Sequence, residues 1–409
     1  MKRVLMIAFH FPPLAGSSGI QRTLRFVQHL PKLGWEALVL SAHPRAYEHT
    51  SADLLAQIPQ GTVVRRAFAL DSARHLAVCG SYLSATARPD RWISWKWGGV
   101  RQGLKMIDDF KPSAIWSTYP IPTAHQIGAV LHERTGIPWI ADFRDPMTWH
   151  DHPLDRMTWQ YSRTIEIAAV RSARHCCFAS QGTARAYQAR YPDAAERMVV
   201  IENGFDEDSF ANAERQTGQQ GPLNPGLSTL LHSGIVAPDV RDPTQLFVAL
   251  RRLKEAGRIS ASRLKVRFRA AGHDSLLQSL SIKHGVTDIV EICPPIGYSD
   301  ALEEMRRADG LLILQAANCN VQIPAKLYEY LRARRPILCL SDPLGDTCDV
   351  LRRAGVSQMA RLNSASEIAE LIMQYQRGEM LGFTPDETSI AAGSRAARSA
   401  QLARLLHEL

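Results

Sequence analysis

Residues 3–32 read RVLMIAFHFPPLAGSSGIQRTLRFVQHLPK, an apolar run, a turn rich in Pro, Gly and Ser, and then apolar residues at helical spacing. The run from Val4 to Phe9 is short and stops at His10-Phe11-Pro12-Pro13, as a buried strand does, and no small-residue cleavage site follows it. Beyond the turn, Leu24, Val27 and Leu30 form one stripe of a helix expected over residues 20–32, with Arg22, Arg25 and Lys32 at other positions. A strand that feeds straight into a helix is the repeating unit of a parallel sheet.

The same alternation continues outward. Strands are expected at residues 35–41, 62–66, 114–118, 138–142, 175–179 and 198–201, with helical patterns between them. Residues 208–227, DSFANAERQTGQQGPLNPGL, lack periodicity and are rich in Gly, Gln, Asn and Pro, so they are expected to be a linker. A second alternation then begins, with strands at 229–235, 264–271, 289–292, 311–315 and 336–340. The expected fold class is therefore α/β, two Rossmann-like doubly wound domains facing across a cleft: residues 1–206, a linker at 207–227, and residues 228–385. Residues 386–409, Ala- and Arg-rich with Leu402, Leu405 and Leu406, are expected to form a terminal helix that packs back on the first domain. Ligands of open α/β sheets lie beyond the carboxyl ends of the strands, which directs attention to the loops there.

The chain has 409 residues, 45 % of them hydrophobic and 22 % charged, which excludes a coiled coil or a disordered tail. Its net charge of +8 is one-sided: residues 1–200 hold 24 basic and 15 acidic side chains, the remainder 24 and 25. That excess suits an anionic partner, whether nucleic acid, lipid headgroups or a phosphorylated substrate. No helix-turn-helix, OB or RRM signature accompanies the charge, so nucleic acid is not expected. Seven Cys (79, 176, 177, 293, 319, 339 and 348), with no C-x-x-C and no paired His, argue against a disulfide framework or zinc site and fit a reducing cytoplasm. No apolar run approaches the roughly 18 residues that span a bilayer, so membrane contact is expected to be peripheral.

Several segments carry residue types suited to chemistry. In the first turn, Gly16, Ser17, Ser18 and Gly19 precede a helix N-terminus, where backbone N–H groups can hold a phosphate or sugar hydroxyl; a plain strand-to-helix turn is the alternative. It is neither G-x-G-x-x-G nor a P-loop. Around Trp92, Trp95, Lys96 and Trp97, three indoles lie among basic residues that include Arg88, Arg91, Arg101 and Lys105. Such a mixture fits a membrane-facing surface, a single-stranded nucleic-acid platform, or rings packed in the core. At the end of the fifth strand, Asp142, Arg144 and Asp145 place two carboxylates around an Arg, either as a functional group or as a loop brace. Ile201-Glu202-Asn203-Gly204 closes the first domain on an Asn-Gly turn expected to shape a hinge. In the second domain Gly234 ends a strand and Arg241 follows. Lys326 and Glu329 lie three apart on one helix face, a cation suited to a diphosphate and a carboxylate suited to ribose hydroxyls, or else a surface ion pair.

Taken together, four segments resemble the family 4 group of retaining glycosyltransferases with the GT-B fold, the type that builds bacterial surface polysaccharides: residues 9–22 (FHFPPLAGSSGIQR), 138–146 (PWIADFRDP), 201–206 (IENGFD) and 323–338 (IPAKLYEYLRARRPIL). The resemblance covers nearly the whole chain. It implies an acceptor site in the first domain, a nucleoside diphosphate sugar site in the second, and no required metal or cofactor. Glu329 would bind the donor ribose, while Lys326 or Arg241 would neutralise the diphosphate near Gly234. Asp142, Arg144 and Asp145 would carry the catalytic positioning of substrate. The implied function is transfer of a sugar, with retention, to a lipid-linked or glycan acceptor by a cytoplasmic enzyme at the inner, anionic face of a membrane.

The sequence departs from the family at one place. The family's paired glutamates have seven residues between them, which puts the first at Val321; Asn318, Asn320 and Gln322 are the polar residues nearby. No convincing equivalent of the family's His follows the fourth strand, His125 being the nearest. Two rival readings follow: a nucleotide-sugar epimerase of the same fold, and a catalytically inactive GT-B binding protein.

Overall fold

The computed structural model describes residues 1–16, 19–148, 155–217, 221–379 and 381–409. The chain forms two compact units, one made of Met1–Asn203 with Arg395–Leu409 and the other of Gly204–Ser394. The first crossing falls within the Asn203-Gly204 turn.

In the first unit β1 (Lys2–Ile7), β2 (Trp35–Ala42), β3 (Val63–Ala67), β4 (Ala114–Thr118), β5 (Trp139–Arg144), β6 (His175–Phe178) and β7 (Met198–Val200) pair in parallel, in the order β3-β2-β1-β4-β5-β6-β7. Alternation along β1 explains why this strand is central. Val4 and Met6 enter one core with Leu24, Val27 and Trp35, whereas Leu5 and Ile7 enter another with Leu38, Leu40 and Ile127. Both faces are covered, so all four side chains are fully buried. The helix Gly19–His29 follows the first turn and continues as a short 3-10 segment, Leu30–Leu33.

Arg22 and Arg25, expected outside the apolar stripe, are buried. Their burial is possible because each guanidinium finds acceptors: Arg25 uses Gln21 and Gln28, and Arg22 uses Asp142 together with two backbone carbonyls. The helix Arg395–His407 belongs to this unit, and its Leu402 and Leu406 pack with Leu24, Val27 and Trp35. Arg398 ties it further, donating to the Glu202 carboxylate at 2.7 Å and the Asn203 carbonyl at 3.2 Å.

The second unit repeats the plan with β8 (Ser228–Ser233), β9 (Leu264–Arg269), β10 (Val290–Cys293), β11 (Gly310–Leu314), β12 (Ile337–Leu340) and β13 (Met359–Ala360), again parallel, in the order β10-β9-β8-β11-β12-β13. Both sheets have the doubly wound, Rossmann-like pattern. In each unit the strand order reverses beside the first strand, at the β1/β4 and β8/β11 neighbours, and ligands of such sheets bind at that switch point.

Two segments differ from expectation. Within the stretch expected to be a linker, Glu207–Thr217 is helical because Phe210 and Ala213, three apart, are fully buried. Arg332 clamps this helix by bonding Glu207 and Glu214 while lying 5.0 Å from the Phe210 ring. Residues 386–409 form two helices rather than one, Glu387–Ala392 in the second unit and Arg395–His407 in the first, separated at Gly393-Ser394. Among the described residues no helix is long and apolar enough to cross a membrane, and no disulfide forms.

Candidate functional site

The first unit gathers its polar residues at the carboxyl ends of β1, β4 and β5. Asp142 is fully buried, and its carboxylate accepts two bonds from Arg22, at 2.7 and 2.8 Å, and one from the Thr118 hydroxyl at 2.9 Å. Arg22 completes its donors on the carbonyls of Ile201 and Glu202. Asp142 is thereby a brace joining β5, the first helix and the turn after β7; expected to position substrate, it instead faces inward with both oxygens engaged.

A register shift after Asp142 turns the chain so that Arg144 adopts a left-handed conformation with φ of +62°. For a non-glycine residue such backbone is strained and is held by its surroundings. Arg144 Nη1 donates to the Tyr119 carbonyl at 3.1 Å, while its Nε, also buried, has no hydrogen-bond partner among the described residues. A guanidinium held out of water with a donor left over is a natural seat for an anion. Burial and then the neighbouring Arg144 charge push His10 down to about 3, so its imidazole is neutral. Burial raises the Asp145 carboxyl above its usual range, Arg144 opposing. Gly19 is required here by close approach: a Cβ would lie 2.6 Å from His10 Nδ1 and 2.7 Å from Arg144 Nη1. Arg144, Asp145 and Gly19 thus stand together, joined by His10, to which the sequence reading assigned no role. Gly16 is an exposed turn residue with φ of +78°, and Ser17 and Ser18 lie outside the described residues.

His125 is not part of this group. It is fully buried, bonded through Nδ1 to the Ser117 hydroxyl at 2.7 Å, and packed against Phe143 and Trp139 as a core residue.

The tryptophan cluster also divides. Trp95 is fully buried and Trp92 packs 4.6 Å from Phe9 with its indole N–H on the Ala46 carbonyl. Three-residue spacing puts both rings on the inner face where the helix Trp95–Phe110 begins. They are core, not membrane-facing residues. Trp97 points the other way and is 69 % exposed. With the half-buried Lys96 it edges a groove of about 700 Å³ between this helix and the helix Pro122–Thr135, lined also by Val100, Arg101, Leu104, Val130 and Arg134.

In the second unit the four expected donor-site residues converge beyond β8. Gly234 has φ of +110°, and a Cβ there would sit 3.1 Å from Lys326 Nζ. Lys326 opens the helix Lys326–Ala333, and Glu329 lies one turn on, accepting a 2.8 Å bond from the Tyr298 hydroxyl. Arg241 ends the short helix Pro238–Arg241 and donates to the Ile235 carbonyl at 3.1 Å. Burial first, then the Arg241 charge, lowers Lys326 to about 7, with Glu329 opposing. A lysine whose charge is disfavoured by burial and by a neighbouring cation makes a site that gains from an anion.

His232, also without an assigned role in the sequence reading, is the acceptor that holds Lys326, with Nε2 3.0 Å from Nζ. The one available signal was a lone His inside the apolar β8, just before the Ser-Gly turn. The loop after β11 is pinned from within by Gln315, whose amide donates to the carbonyls of Cys319 and Gln322 and accepts from the Thr347 hydroxyl. Of the polar residues near Val321, Asn318 bonds the Asp239 carbonyl, Asn320 bonds Asp342, and the Gln322 side chain is exposed. Among the described residues no group of three or more His, Cys, Asp or Glu is placed to hold a metal ion.

Comparison with known proteins agrees with this architecture. Residues 18–204 match the model of the glycosyl transferase 4-like domain. No curated protein sequence matches the chain. Among solved structures, sucrose-phosphate synthase from Thermosynechococcus elongatus superposes with a TM-score of 0.70 at 13 % identity, covering 100 % of this chain and 99 % of that one. Anabaena HepE in complex with UDP and glucose gives 0.65 at 15 %, covering 100 % of both. The UDP-GlcNAc 2-epimerase from Neisseria meningitidis bound to UDP-GlcNAc gives 0.57 at 10 %, again covering 100 % of both. The chain has the GT-B fold of two Rossmann-like domains, and the similarity to the glycosyl transferase 4-like domain lies in residues 18–204.

Proposed function

We propose that this protein is a retaining glycosyltransferase that moves a sugar from a nucleoside diphosphate donor to a lipid-linked or glycan acceptor in surface polysaccharide synthesis. The observation that carries this reading is the convergence of Lys326, Arg241, Glu329 and Gly234 beyond β8. Glu329, oriented by Tyr298, would accept from the donor's ribose hydroxyls. Lys326 and Arg241 would stabilise charge as it develops on the departing diphosphate, so the positive partner is supplied by side chains and not by a metal. Anabaena HepE, of the same fold, was solved with UDP and with UDP-glucose, which supports a nucleotide-sugar donor. In the first unit, Arg144, Asp145 and Gly19 would position the acceptor and the transferred sugar.

Nucleoside diphosphate release from a panel of UDP-, GDP- and ADP-sugars tests the reading, with Glu329→Ala expected to weaken donor binding about tenfold, as the loss of a charged hydrogen-bond acceptor does. Absence of turnover with every donor, together with unchanged binding in that variant, overturns it. The epimerases of the same fold keep one rival in view. Incubation with donor alone separates the two, because an epimerase alters the sugar without any acceptor.

The groove beside Trp97 supports peripheral attachment to an anionic leaflet at the cytoplasmic face. Lys96, Arg101 and Arg134 rim an apolar floor of Val100, Leu104 and Val130. Indole at the wet edge of a bilayer and cations near anionic headgroups are both favourable. Trp97→Ala with Arg101→Ala is expected to lower affinity for phosphatidylglycerol vesicles about tenfold, at roughly 1 kcal/mol per basic residue; unchanged sedimentation with vesicles removes the assignment.

A further inference from the structure

We propose that His232 is a positioning residue that holds the Lys326 amine in place beside Gly234, so that nucleoside diphosphate binding is accompanied by uptake of a proton at Lys326. This inference rests on the donor-site reading above and adds a residue and a proton to it.

The carbonyl of Leu312 assigns the tautomer, the Ile235 carbonyl also lying against the ring. His232 lies in β8, its ring fully buried and 5.9 Å from Phe268. Nδ1 is 2.8 Å from the carbonyl oxygen of Leu312 in the neighbouring strand β11, and a carbonyl only accepts, so Nδ1 carries the hydrogen. That leaves a lone pair on Nε2, aimed at Lys326 Nζ 3.0 Å away, and the lysine must be the donor. A second proton on the ring is opposed by burial first and by the Lys326 charge second, which hold His232 well below its usual value. The imidazole is therefore a fixed, neutral acceptor.

An uncharged partner has a particular consequence for Lys326. A carboxylate in that place would lock the ammonium in its charged form and compete with any incoming anion, whereas a neutral nitrogen aims Nζ without cancelling its charge. Gly234 stands beside it, and its missing side chain lets Nζ approach the turn after β8, since a Cβ there would lie 3.1 Å from Nζ. The charged and titratable groups that face Lys326 are His232 from β8, Arg241 from the helix Pro238–Arg241, and Glu329 from its own helix, which is itself bonded by Tyr298. Without an anion, burial and then the Arg241 charge disfavour the ammonium and bring Lys326 down to about 7. A diphosphate placed against Nζ reverses the balance, because an opposite charge favours the charged form. The step balances simply: the amine, a solvent proton and the diphosphate combine into an ammonium–diphosphate pair, and the proton returns to solvent when the diphosphate leaves.

Titration calorimetry of the full chain with UDP, GDP and ADP in turn, at about pH 8 and in two buffers of different ionisation enthalpy, measures the proton directly. Uptake of more than about half a proton is expected, with affinity falling by up to about tenfold per pH unit between pH 7 and 9. His232→Leu is expected to weaken binding about tenfold in the natural background and less than about twofold in Lys326→Met, since a residue that acts through Lys326 has nothing to position once the amine is gone. His232→Gln, which can present an amide oxygen to Nζ, should recover most of the loss and keeps the test valid should His232→Leu fail to fold. Binding without proton uptake, or an equal loss from His232→Leu in both backgrounds, overturns the inference while leaving the donor-site reading intact. Failure of the natural chain to bind any of the three nucleotides overturns both.

Discussion

Two cations, one in each unit, the first buried and the second half-buried, are held in opposite ways. Arg22 is matched by the carboxylate of Asp142 on two nitrogens and by two carbonyls, so its charge is spent within the fold. Lys326 is matched by the neutral Nε2 of His232, so its charge depends on what else is near. On the donor-site reading proposed above, the difference separates a structural cation from one kept available for a ligand. Position alone does not distinguish them, since both lie at the carboxyl end of a parallel sheet; the identity of the acceptor does.

Removing each cation should break this contrast most sharply. Arg22→Met leaves the Asp142 carboxylate buried with only the Thr118 hydroxyl, and a loss of about 3–5 kcal/mol is expected in chemical denaturation, the usual cost of orphaning one partner of a buried pair. Lys326→Met removes a partly desolvated charge and leaves one imidazole nitrogen without its donor, two effects that oppose each other. Stability is expected to stay within about 1 kcal/mol of the natural chain, while nucleoside diphosphate affinity falls about tenfold or more. Equal destabilisation by the two variants would erase the distinction.

A smaller effect belongs to Asp145, whose carboxyl is raised by burial. A carboxyl that binds its proton more tightly in the folded chain costs stability once pH rises above its ordinary value, and the full cost is present above its folded value. Asp145→Asn should therefore raise the melting temperature by about 2–4 °C near pH 7 and leave it unchanged below about pH 3. A rise at both pH values would mean that Asp145 costs stability through packing rather than charge.

Strand periodicity was legible because a parallel sheet covered on both faces needs uninterrupted apolar runs. All twelve expected strands are there, each shifted by at most a few residues, whereas β13 is only two residues long and too short to leave a pattern. The Glu207–Thr217 helix escaped notice for a related reason: two buried side chains, Phe210 and Ala213, suffice to dock it, and the Gln- and Asn-rich surroundings hide them. At the candidate site, Gly19, Arg144, Gly234, Lys326 and Glu329 were visible through turn chemistry and helical spacing, because those rules act over a few residues. His10 and His232 were not, since each matters only through a partner more than ninety residues away, Arg144 for one and Lys326 for the other.

The tryptophans show the same limit. Composition placed three indoles among basic side chains, but the helix start at Ser94 and the Phe9 ring decide that Trp92 and Trp95 go inward and Trp97 outward.

Local rules in the chain, apolar period and turn residues, determined two parallel α/β units and which loops follow their strands. Only tertiary packing decided that Asp142 is sealed against Arg22 while Lys326 rests on a neutral imidazole. The physical reason is that a charge takes its character from the dielectric and the partners around it, and those are supplied by segments distant in sequence.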